Sequence, residues 1–188
     1  MIERTLVLVK PDGVYRGLIG NIITAFEVAG LKIVGLKLVM PTKEFAAQHY
    51  PADKSWYQSL WEKTKKAAEE KGEPFTETPE QVGERVRGFL VDYLANKPVV
   101  AMVVEGNNAI DNVRKIVGAT SPSKADPSSI RGKYAIDSYD LADSQHRAVR
   151  NLVHASDSKE TAQREISLWF KEGELISYKR SDEEAMFG

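Results

Sequence analysis

Thr5-Leu6-Val7-Leu8-Val9 is a continuous apolar run stopped by Lys10-Pro11-Asp12-Gly13, the pattern of a central strand ending in a turn. Leu18, Ile19, Ile22, Ile23 and Phe26 then recur at helical spacing, and Gly30 stands where a helix stops. Leu31 to Met40 is strand-like, with its apolar parity switching near Gly35 as at a bulge. Pro41-Thr42 opens a short helix through Phe45, Ala46 and His49 that ends at Tyr50-Pro51. Trp56, Tyr57, Leu60, Trp61, Thr64, Ala67 and Ala68 draw one face of a longer helix closed by Gly72. Aromatic stripes of this kind are usually packing.

After a polar loop from Glu73, Thr78-Pro79-Glu80-Gln81 forms a capping box with proline at the first helical position. Val82, Val86, Phe89, Leu90, Tyr93 and Leu94 continue that helix. Val99 to Val104, apolar throughout, predicts a central strand. Ile110, Val113 and Val117 mark a helix ended by Gly118. From Ala119 to Arg131 there are two prolines, four serines and no apolar period, and a loop that long in a compact domain is usually functional. Lys133 to Ile136 reads as a fourth strand, and 137–150 as a polar stretch with a short helical insert. Asp157 and Glu160 occupy the cap and third positions of a last helix whose buried stripe is Ala162, Ile166, Trp169 and Phe170. Strands broken by helices without a strict βαβ rhythm predict an α+β fold with helices on one face of a sheet.

Composition narrows the field. At 188 residues, 42% hydrophobic and 28% charged, the chain fits one globular domain over 1–188. With 26 basic against 27 acidic residues there is no bulk charge for nucleic acid or an anionic membrane; Lys63, Lys65 and Lys66 read as a solvated helix face. The absence of cysteine excludes disulfides and thiolate chemistry and fits a cytoplasmic protein. Lys10 comes too early for a signal-peptide core, and no apolar run approaches the ~20 residues that span a bilayer, so a soluble protein is expected.

The common phosphate, dinucleotide, zinc and serine-hydrolase motifs are missing. What remains is a set of polar residues at the ends of elements. Lys10 closes the first strand, Arg114 edges an apolar helical stripe, and Thr120 and Arg131 bracket the long loop. Each has an ordinary use in salt bridging, capping or turns. Glu165 sits within the buried stripe of the last helix, so its carboxylate needs a partner. His154, in Asn151-Leu152-Val153-His154-Ala155-Ser156, is one helix away, and a carboxylate would fix its tautomer and raise its basicity. With Lys10, Arg114, Thr120, Arg131 and Asn151 as donors, this set suits phosphoryl transfer through a nucleophilic histidine.

Lys10-Pro11-Asp12-Gly13 with Arg16-Gly17, Ile130-Arg131-Gly132, and Asn151 to Ser158 followed by Glu165-Ile166-Ser167-Leu168-Trp169-Phe170 resemble nucleoside diphosphate kinase from Ile2 to about Arg180. The resemblance implies a ferredoxin-like four-stranded antiparallel sheet and a ping-pong reaction, in which a nucleoside triphosphate phosphorylates a histidine that then phosphorylates a nucleoside diphosphate. It makes His154 the nucleophile, Glu165 its orienting carboxylate and Ser156 their neighbour. Lys10, Tyr50, Arg114, Thr120, Arg131 and Asn151 become phosphate and sugar contacts. Val86 falls where the family commonly has a phenylalanine stacked on the base. Mg2+ would be bound through nucleotide phosphates, with no dedicated protein ligands. Assembly as a hexameric or tetrameric homo-oligomer is implied. Two insertions, near 53–80 and 138–148, depart from the usual length and are expected to border the nucleotide cleft. A noncatalytic nucleotide-binding module on the same fold is the alternative, but it predicts loss of the histidine or its donors, and all are present.

Overall fold

The computed structural model describes residues 2–187. Strands β1 (Ile2–Val9), β2 (Lys32–Val39), β3 (Val99–Asn107) and β4 (Val153–Ala155) form one sheet in the order β2-β3-β1-β4, antiparallel throughout. This is a ferredoxin-like sheet in an α+β fold. The helices are α1 (Pro11–Tyr15), α2 (Ile19–Val28), α3 (Lys43–His49), α4 (Lys54–Lys71), α5 (Pro79–Leu94), α6 (Ala109–Val117), α7 (Ile130–Tyr134), α8 (Tyr139–Ser144), α9 (Lys159–Trp169) and α10 (Glu183–Phe187).

Side chains alternate across the sheet, so its two central strands feed two cores. Val7, Val9, Val100, Met102 and Val104 pack with Ile22 and Phe26 of α2 and Val113 of α6. Leu6, Leu8, Ala101 and Val103 pack with Ala46 of α3, Leu94 of α5 and Trp169 at the end of α9. Helices therefore cover both faces rather than the one expected. Strands apolar on both sides cannot leave either face to water.

A second expectation also fails. Lys133 to Ile136 is not a strand: Ser129 caps α7 by accepting from the Gly132 N–H, and Ile136 is fully exposed. The fourth strand is Val153–Ala155, so His154 itself lies in the sheet, opposite Leu8. That register places its side chain on the Leu6/Leu8 face, toward α3 and α9. The last helix is capped by Ser158 rather than Asp157, its hydroxyl accepting from the Thr161 N–H. The Pro-Asp-Gly turn is a single helical turn, α1. The irregularity anticipated at Gly35 is present as a register shift between Ile33 and Gly35.

The stretch 53–80, read from the sequence as an insertion, carries α4. Asp53 caps it, Gly72 closes it in the left-handed conformation, and its buried face is held on α5. Tyr57 stacks over Gly83, donating its hydroxyl to Glu84 at 2.6 Å, while the Trp61 indole donates to the Glu77 carbonyl at 2.7 Å. The stretch 138–148 carries α8 and meets the far end of α4, where Lys71 pairs with Asp140.

Candidate active site

Antiparallel pairing of β4 on β1 gathers the residues singled out along the chain. Lys10 follows β1, and its backbone N–H donates to the Leu152 carbonyl at 2.8 Å. The Asp12 carboxylate accepts the Leu152 N–H at 3.1 Å. Leu152 needs both clamps, because its φ of 68° is a left-handed conformation that a bulky residue adopts at a cost. Held there, the chain turns so that Asn151 and His154 both face one cleft.

That cleft has a volume of about 660 Å³, the size of a small-ligand site. On its wall stand Lys10, Tyr50, Arg114, Thr120, Arg131 and Asn151, with His154 and Glu165 at one end. Lys10 Nζ donates to Asn151 Oδ1 at 2.7 Å, and Asn151 Nδ2 donates to the Thr120 carbonyl at 2.8 Å. Burial, with Arg131 nearby, lowers the Lys10 pKa to about 7 against the opposing pull of Asp12. The ammonium's side-chain acceptor is a neutral amide, and Asp12 only partly offsets the cost of burying its charge. Arg131 donates to the carbonyls of Gly118 at 2.8 Å, Asn151 at 3.2 Å and Val153 at 2.6 Å. Three of its five N–H groups thus bind the long loop to β4, leaving two for a ligand. Burial brings its pKa down to about 10, so it stays charged.

His154 Nε2 lies 2.8 Å from Glu165 Oε2, and the Ser156 hydroxyl donates to the same oxygen at 2.7 Å. Glu165 and Ser156 are buried, while His154 keeps one-fifth of its side chain in the cleft. Burial alone would push the Glu165 carboxyl up; the facing His154 imidazole, then His49 and the Ser156 hydroxyl, hold it near 2. An ionised carboxylate accepts only, so Nε2 carries a hydrogen, and in the neutral ring Nδ1 is then the nitrogen with the free lone pair. Tyr50 stands edge-on to His154 with ring centroids 6.5 Å apart, its hydroxyl held protonated chiefly by burial.

Val86 is half-buried on α5 and does not line the cleft; Leu90, one turn on, does. Asp53, Ser55 and Trp56, at the start of the stretch 53–80, contribute to the wall, whereas no described residue of 138–148 lines it. Several residues escaped sequence reasoning. His49 is 1% exposed and 4.5 Å from His154 between ring centroids, and Arg164 donates to Glu165 Oε1 at 3.2 Å. A signal existed for His49, which lies three and four residues after the apolar Ala46 and Phe45, on the buried stripe of α3.

An anion-hungry cleft with a carboxylate-backed imidazole is what phosphoryl transfer through histidine asks for, and comparison with known proteins agrees. The nucleoside diphosphate kinase family model matches residues 3–70 and 79–175. A nucleoside diphosphate kinase of Pyrobaculum aerophilum is 48% identical over 180 residues, covering 93% of this chain and 98% of the relative. One of Pyrococcus furiosus is 46% identical, covering 94% and 88%. The crystal structure of an NDP kinase from Pyrobaculum aerophilum superposes with a TM-score of 0.90 at 47% identity, covering 94% of this chain and all of the other. A Borrelia burgdorferi nucleoside-diphosphate kinase, solved as a transition-state mimic with bound vanadate and ADP, gives 0.81 at 36% identity, covering 97% and 95%. Site and kinship point the same way: the chain belongs to the nucleoside diphosphate kinase family, enzymes that move phosphate between nucleotides.

Proposed function

We propose that this enzyme works through a phosphohistidine on His154, and the observation carrying that reading is the 2.8 Å contact between His154 Nε2 and Glu165. With Nε2–H held, Nδ1 attacks the γ-phosphorus of a nucleoside triphosphate. An N–P bond forms, the bridging P–O bond breaks, and the nucleoside diphosphate leaves with the electron pair. A second diphosphate then attacks the phosphorus through a terminal oxygen, which restores the imidazole. Lys10, Arg131 and Arg114 offset the charge on the moving group, Tyr50 and Asn151 add hydrogen-bonding groups, and Thr120 faces the same cleft. Ser156 shares the Glu165 oxygen and steadies it.

The donors in this cleft suit phosphate oxygens. Mg2+ prefers oxygen ligands and keeps much of its water, so it fits here as a passenger on the nucleotide phosphates, where it would neutralise charge as the bond breaks. No described helix is long and apolar enough to cross a membrane, and we read the enzyme as cytoplasmic. We also read it as a symmetric homo-oligomer, a hexamer or tetramer.

The direct kinetic test is incubation with ATP and magnesium in the absence of any added diphosphate. A phosphoenzyme mechanism releases about one ADP per subunit and leaves an isolable enzyme that phosphorylates a diphosphate added later, and His154→Ala does neither; wild type that releases ADP only when another diphosphate is added would exclude it.

A further inference from the structure

In the lining of the cleft sits an almost fully buried imidazole that the phosphoryl chemistry above does not use, His49. The Trp169 indole N–H donates to His49 Nδ1 at 3.2 Å. An indole nitrogen can only donate, so Nδ1 is the acceptor and the proton of the neutral ring sits on Nε2. That Nε2 is buried and has no hydrogen-bond partner among the described residues. The opposite tautomer would face a carboxylate, because His49 Nδ1 is 3.8 Å from Glu165 Oε1, a few tenths of an ångström outside hydrogen-bond reach. Buried polar groups are nearly always paired, so a tautomer that leaves Nε2–H unpaired while Nδ1, the nitrogen nearer the carboxylate, carries no proton calls for a cause.

The cause is Trp169, which is itself 3% exposed and fixed by an edge-on contact to Phe45 at 4.9 Å. We propose that Trp169 acts through His49 as a tautomer lock: it denies Glu165 a second imidazole donor, so the carboxylate's charge stays directed at His154. Trp169 and His49 are thus positioning residues, and the inference rests on His154 being the nucleophile.

The surroundings of His49 fit a ring kept neutral. His154 faces it from β4, Arg164 and Glu165 from α9, and Lys10 from the end of β1, while the neutral Tyr50 ring packs against it. Burial, then the cationic neighbours, hold the His49 pKa well below the ordinary histidine value against the pull of Glu165 alone. Without the indole N–H, the His49 proton can move to Nδ1 and bond Oε1. Glu165 then becomes a weaker acceptor for His154 Nε2–H, and His154 Nδ1 a weaker nucleophile.

The test uses the full chain in three variants, Trp169→Phe, His49→Phe and the double variant. Nitrogen-15 correlation spectra report the His49 tautomer without turnover. The lock requires an unprotonated Nδ1 in the wild type and a protonated one in Trp169→Phe. Single-turnover phosphorylation by ATP and magnesium should slow on the order of 10-fold in Trp169→Phe, the scale of losing an outer partner of a reactive ligand. The double variant should match His49→Phe, because no second donor is left to release. Wild-type His49 protonated on Nδ1 overturns the lock, as does a Trp169→Phe defect that persists undiminished without His49. If no variant, wild type included, becomes phosphorylated, the nucleophile reading fails separately while the spectra still decide the tautomer.

Discussion

At the scale of the residue, the site is built by making groups uncomfortable in the absence of ligand. Lys10 is the plainest case, a buried ammonium whose pKa of about 7 lies far below that of a free lysine. A polyphosphate beside it restores the charged form. The free enzyme loses the proton as pH rises through about 7, so nucleotide affinity should be flat below that pH and weaken above it. Calorimetry at pH 8 in buffers of different ionisation enthalpy should show proton uptake on binding, and Lys10→Met should abolish it. Glu165 works in the opposite sense. Its carboxyl is held near 2, so it stays an acceptor for His154 across the physiological range. Glu165→Gln leaves the ring without its charged partner and should lower the phosphorylation rate on the order of 10-fold to 100-fold, with a smaller effect on nucleotide KM; pre-steady-state kinetics separate the two.

At the scale of the element, the packing of α4 on α5 makes opposite predictions for two glycines of one helix. A Cβ at Gly83 would lie 2.1 Å from the Tyr57 ring, whereas one at Gly88 meets nothing within 4 Å. Gly83→Ala should therefore destabilise by about 1–3 kcal/mol through overpacking. Gly88→Ala should stabilise by about 0.5–1 kcal/mol through helix propensity. Urea unfolding of the pair measures both, and equal signs would contradict the packing. Elements like these were largely legible in the sequence, because the capping box at Thr78, the stop at Gly72 and the apolar runs of β1 and β3 are local signals. The strand misplaced to Lys133–Ile136 shows the limit. Only three residues of β4 pair, and they do so through clamps from Lys10 and Asp12 that are remote in sequence. The apolar stripe of α3 marks His49 as buried, but its role depends on partners remote in sequence, His154 on β4 and Trp169 and Glu165 on α9.

At the scale of the whole molecule, one sheet with a core on each face explains how distant segments share a site: β1 supplies Lys10, β4 supplies His154, and a helix packed behind them supplies Glu165. Apolar side chains left on the outer strand bear on assembly. Leu36, Leu38 and Met40 on and just beyond β2 are each more than half exposed, while the C-terminal segment covers the neighbouring edge through Ile176 donating to the Val34 carbonyl. Light scattering should find an oligomer for the wild type and a smaller species for Leu38→Glu. The claim on which the rest depends is the identity of the phosphorylated atom. Incubation with ATP and magnesium followed by acid-labile phosphate mapping should place one phosphate on Nδ1 of His154 and none in His154→Ala. Wild-type protein without label, or label that survives the substitution, would contradict the account.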